Sequence, residues 1–242
     1  MIVALALLPI RRLMNARRLW WVLGAWVLAT IGLSVVRARS GGSATDALLG
    51  IYASFALPLV TLALTAAVTR NDRLQVAASP LTRVGASGVA AALAHVAVAV
   101  GSCLVLGSAL GVAVAIVAHS SSDPSLARDA VTCAEVGALA GAAYAGMFSL
   151  GSSFGPKGSG RTALLVINWI AGGGVLGAVM PQAHVRSLLG GDPAGALSQP
   201  ASALALVMIA VATSLLAAWR SRRLSSCAKR RTPLSRMSIA RC

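Results

Sequence analysis

The chain has 242 residues, 57% hydrophobic and only 11% charged, with a mean hydropathy of +0.80. Soluble domains carry about 25% charged residues, so a fold solvated on all sides is excluded. The formal net charge is +15, yet the cations cluster beside apolar runs and not along one polar face, which points to membrane lipid as a partner and away from nucleic acid.

The first 18 residues, MIVALALLPIRRLMNARR, begin apolar and turn basic. They predict an interfacial helix on the cytoplasmic surface, with Trp20 and Trp21 at the inner boundary of the first span. A secretory leader fits less well, because its apolar core runs about 7 to 15 residues. The uncharged stretch from Leu19 to Val36 is longer.

Charge-free intervals follow at 19–36, 47–69, 84–122, 136–156, 162–185 and 193–219. A bilayer-crossing helix needs about 20 apolar residues, so five of these predict one span each. The third is long enough for one tilted helix or two very short ones. Charge decides between them. With six spans, every Lys and Arg except Arg37, Arg39, Arg128 and Arg186 lies on the cytoplasmic side; a seventh would put the basic tail outside. The expected fold is all-α: a polytopic membrane protein with six transmembrane helices at about 19–36, 48–69, 88–118, 131–154, 162–181 and 202–219. Both termini are cytoplasmic, and 220–242 forms a basic tail without apolar period.

Nothing in the sequence predicts catalytic residues, metal ligands or a cofactor. The four cysteines form neither a disulfide framework nor a C-x-x-C pair. GPKGSGRT at 155–162 has Arg161 where a phosphate-binding loop has lysine, and an apolar span precedes it where that loop needs a strand. It reads as a cytoplasmic turn. Ser152 and Ser153 have no histidine base in the last span. His95, Glu135 and Asn168 are the polar groups placed at membrane depth, where such groups are costly and informative. Glu135 is expected at the headgroup level, paired with Arg128. Three G-x-x-x-G pairs (Gly107/Gly111, Gly137/Gly141, Gly173/Gly177) offer close helix approach, and the denser run from Ala171 makes Gly173 and Gly177 the preferred packing face.

The longest polar interruption in the first half is Arg70 to Arg83, RNDRLQVAASPLTR. Pro80 is expected to stop a short helix there, with Arg83 marking the start of the next span. SPLTR resembles the cytoplasmic loop of type 2 ABC exporter permeases (the ABC-2 family), which departs from it in often carrying a glutamate and a glycine ahead of the short helix. The basic N-terminal helix, the six spans and the segment PQAHVRSLLGGDPAGALSQP before the last span are similar to that family as well. The resemblance implies an ATP-driven exporter permease with no ATPase of its own. A cytoplasmic ABC ATPase subunit would dock on the coupling loop 70–86 through Arg70, Asp72 and Arg73, and Ser79, Pro80, Leu81 and Arg83 would carry motion into span three. A second copy or a homologue would complete the pathway. An ion-coupled secondary carrier and a non-transporting membrane scaffold are the other classes that fit.

Overall fold

A computed structural model describes residues 2–41, 43–119, 125–172, 175–195 and 197–230, and the described residues form helices and turns with no strand among them. Helix α1 (Ile2–Met14) breaks at Asn15–Ala16 into α2 (Arg17–Arg39). The short α3 (Ala44–Ala47) is closed by a reciprocal cap, in which Ser43 Oγ accepts from the Asp46 amide and the Asp46 carboxylate accepts from the Ser43 amide. It runs without a break through a π-helix (Leu48–Ala56) into α4 (Leu57–Val68). Then come α5 (Leu74–Arg83), α6 (Gly88–Ala118), α7 (Leu126–Gly151), α8 (Gly160–Ala171), α9 (Pro181–Leu188) and α10 (Gln199–Arg230), with 3-10 turns at Pro156–Gly158 and Val175–Val179.

Five helices are long and apolar enough to cross a membrane, as in a multi-pass membrane protein: α2, the continuous Ala44–Val68, α6, α7, and α10 as far as Arg222. The ambiguous third interval is one helix. Its 31 residues rise about 46 Å at 1.5 Å each, more than the ~30 Å of a bilayer core, so it must tilt or project.

The fifth expected span, 162–181, is not one helix. Its 12-residue α8 rises only about 18 Å and ends at Ala171, and the 3-10 turn and α9 follow as separate pieces. Pro181, whose ring cannot extend a preceding helix, instead opens α9. At the other extreme, α10 continues as helix from the expected span end at Trp219 to Arg230; residues 231–242 of the expected tail lie outside the described residues.

The centre of the bundle is the antiparallel pair α6/α7. A Cβ on Gly107 would lie 2.5 Å from the Gly137 carbonyl oxygen, and one on Gly111 would lie 2.7 Å from that of Cys133; Gly137 and Gly141 meet the Gly107 and Cys103 carbonyls still more closely. Only hydrogen fits there. Of the expected packing pair, Gly177 sits in the 3-10 turn against Ala183, and Gly173 lies outside the described residues. The close approach of α6 and α7 comes from two matched glycine pairs on neighbouring helices.

Tyr52, fully buried on the π-helix, donates its hydroxyl to the Gly107 carbonyl at 2.8 Å and fills the hollow left by Gly111 and Gly137. A second polar tie reaches the same span. Pro58 has no N–H to give the Ser54 carbonyl four residues back, and that carbonyl accepts from Trp169 Nε1 at 2.8 Å.

Candidate functional site

The turn between α4 and α5 holds Arg70 and Asn71 in the left-handed region, at φ 55° and 57°. Such residues are uncommon and cost about 1 kcal/mol or more, so the surroundings must hold them. They do so through the turn 152–161. Buried Arg161 donates from Nη1 to Thr69 Oγ1 at 2.8 Å and from Nη2 to the Lys157 carbonyl at 3.2 Å. Arg73 Nε donates to the Gly155 carbonyl at 2.6 Å, and the Leu74 amide to that of Ser152 at 3.2 Å. Gly158, at φ 69°, comes so close to the Asp72 carbonyl that a Cβ would stand 2.8 Å from it. The phosphate-loop look-alike is therefore a backbone socket for the start of α5.

Helix α5 buries Leu74, Ala77, Ala78 and Leu81, spaced as one helical face, mainly against α6. Its opposite stripe, Arg73, Val76, Pro80 and Arg83, is exposed. Pro80 does not stop the helix as expected; it lies inside it. The reason is local. Pro80 leaves the Val76 carbonyl without an amide four residues on, and Ser79 Oγ donates to that carbonyl at 2.8 Å. Thr82 Oγ1 repeats the pattern on the Ser79 carbonyl at 2.8 Å. Side-chain hydroxyls thus carry the helix past the missing donor, and it ends only at Arg83, before the left-handed Gly85.

From the other side α1 grips α5. Arg12 Nη1 donates to the Ala77 carbonyl at 2.9 Å and lies 3.1 Å from His95 Nε2, while His95 Nδ1 lies 2.9 Å from the Ala91 carbonyl. A carbonyl can only accept, so the proton sits on Nδ1 and Nε2 accepts from Arg12. One guanidinium thereby ties three helices: α1, α5 and α6. Nothing in the sequence pattern marked Arg12 or Thr69 for this; His95 was visible only as a polar residue in an apolar run.

The expected coupling residues separate into groups. Arg73, Pro80 and Arg83 share the exposed stripe, and Ser79 and Leu81 hold the helix together and to the bundle. Asp72 is half-buried and accepts from the Arg73 amide at 2.7 Å. Arg70 turns away, into a cavity between α1, α2 and α4. Arg220 of α10 lies 3.9 Å over the Phe154 ring, so α1, α5, the 152–161 turn and this part of α10 gather at one end of the bundle.

At the other end Arg37 pairs with Asp46 at 3.7 Å. Both line a cavity of about 830 Å³ with Arg186, Trp169 and Gln182. Behind it Asn168 Nδ2 donates to Gln182 Oε1 at 3.0 Å and lies 3.4 Å from the Tyr144 hydroxyl, all three buried. Glu135 is exposed, and the expected pairing with Arg128 does not form. No protein-family model, curated protein or solved structure matches the chain.

Proposed function

We propose that the chain is the membrane-spanning subunit of an ATP-driven exporter of the ABC-2 type, with α5 as the lever on which a separate cytoplasmic ATPase subunit pushes. The observation that carries this reading is the mounting of α5. A ten-residue helix between two crossing helices offers an exposed stripe outward, while its other contacts run to α1, α6 and the turn joining α7 to α8. A push on Arg73, Val76, Pro80 and Arg83 therefore reaches most of the bundle at once.

In this reading the end carrying α1, α5 and the 152–161 turn faces the cytoplasm of a bacterial cell, as the distribution of arginines favours. The pieces from α8 to α9 make a broken sixth crossing, and two copies of the chain, or the chain and a homologue, line the pathway. The cargo is a lipid, drug, peptide or polysaccharide. Isolating the protein from its native membrane should bring an ATPase with it. Pro80→Ala with Arg83→Ala should leave insertion intact but uncouple ATP hydrolysis from transport. Labelling of residues 70–83 from outside intact cells would invert the orientation and overturn the reading.

A further inference from the structure

The break at Asn15–Ala16 folds the end of α1 back on the start of α2. This brings Arg11, Arg12, Arg17 and Arg18 around one cavity of about 870 Å³, and Arg70 closes it from the far side. No acidic residue lines it among the described residues. Arg12 is held by the Ala77 carbonyl and His95, but the side chains of Arg11, Arg17, Arg18 and Arg70 have no hydrogen-bond or ion-pair partner among the described residues. Partial burial, and then the charge of Arg70, push the Arg12 guanidinium below its ordinary value. Arg11, Arg17, Arg18 and Arg70 are exposed, and like charges gathered so closely repel one another. An anion would relieve that.

The apolar wall belongs to the same chamber: Leu19 and Val22 of α2 and Ala63, Ala66 and Ala67 of α4 line it beside the arginines. Val22 stands about 7.5 Å along α2 from Arg17. Trp20 is fixed at the junction, its Nε1 donating to the Leu13 carbonyl at 3.1 Å. The chamber thus joins charge to an apolar wall along one peripheral helix, the least buried of the five. A soluble phosphate would match the arginines and leave that wall bare; a phospholipid matches both.

We infer that the α2–α4 cleft binds an anionic membrane phospholipid, its phosphate among Arg11, Arg17, Arg18 and Arg70 and one acyl chain along Leu19, Val22 and Ala63. Basic pockets beside membrane helices hold anionic head groups in this way. The site does not depend on the exporter reading, and its test uses neither transport nor ATP.

The full chain is reconstituted in vesicles of phosphatidylcholine containing brominated phosphatidylglycerol or, separately, brominated phosphatidylcholine, and the quenching due to Trp20 is taken as the difference from Trp20→Phe. Phosphatidylglycerol should quench at lower mole fraction by about tenfold or more, since several basic residues act together. The triple variant R11Q/R17Q/R18Q should lose that preference, R17K/R18K should keep it, and Arg128→Gln should leave it unchanged. Ala63→Phe with Ala67→Phe, on the apolar wall of the chamber, should fill it and abolish the quenching while the arginines remain. Equal quenching by the two lipids would overturn the inference, as would a preference that survives the triple variant. Displacement of the preference by inorganic phosphate would assign the chamber to a soluble anion instead, and full quenching in the Ala63→Phe/Ala67→Phe variant would remove the acyl chain from it.

Discussion

Arg12 and His95, 83 positions apart in the chain, meet at 3.1 Å between Nη1 and Nε2. The contact fixes the protonation of the ring and seats the N-terminal helix on α5 and α6. Arg12→Leu leaves a buried acceptor unpaired, which costs about 1–3 kcal/mol. Thermal unfolding of the purified protein should show it, and a cycle with His95→Leu should return a coupling of about 0.5–3 kcal/mol. Strict additivity of the two changes would mean that the contact holds nothing.

The Ser79–Pro80 pair makes a sharper prediction, because the hydroxyl matters only while the proline is present. Ser79→Ala should cost about 1 kcal/mol in the native background. In a Pro80→Ala background the restored amide supplies the Val76 carbonyl, and the same change should be close to neutral. Equal costs in both backgrounds, measured by unfolding, would reject the compensation.

Glycine substitutions should sort by what faces them. Gly137→Ala drives a methyl into the Gly107 backbone and the Tyr52 hydroxyl. Neither is a flexible chain end, so α6 and α7 must separate, at the ~1–3 kcal/mol typical of overpacking or more. Gly101→Ala on the same α6 meets nothing within 4 Å and should stabilise by up to about 1 kcal/mol through helix propensity. Similar unfolding temperatures for the two variants would refute the close approach.

The Asn168–Gln182 bond lies among apolar helices, so its worth is set by the partner left behind. Asn168→Leu should lower stability by about 0.6 kcal/mol, with ~1.7 as the upper range seen for such bonds. Adding Gln182→Leu should recover part of the loss, since replacing both partners removes the orphaned group.

Much of the architecture was legible from charge alone. Long uncharged runs predicted α2, Ala44–Val68, α6, α7 and α10 because few other helices keep so many apolar residues together. The break in the fifth interval escaped for a related reason: a charge-free run reports length, and says nothing about where the amide ladder is interrupted. Gly172 and Pro181 were the available signals. The π-helix leaves no pattern in composition at all. At the candidate site the stripe of α5 could be read from its period, but its supports could not. Arg12, Thr69, Arg161 and the carbonyls of Ala77, Gly155 and Ser152 come from distant segments, and a single sequence does not show which distant groups meet.

The wide winding of Leu48–Ala56 has a further consequence. A stretch bonded i to i+5 holds more chain in each coil than the α4 segment it feeds, so where it begins and ends sets the azimuth of everything after it. Lengthened or shortened by one residue, it would rotate Leu57–Val68 about its own axis like a nut on a thread, without unzipping the span. Thr69 rides at the end of that shaft, with the Arg161 guanidinium fastened to its hydroxyl.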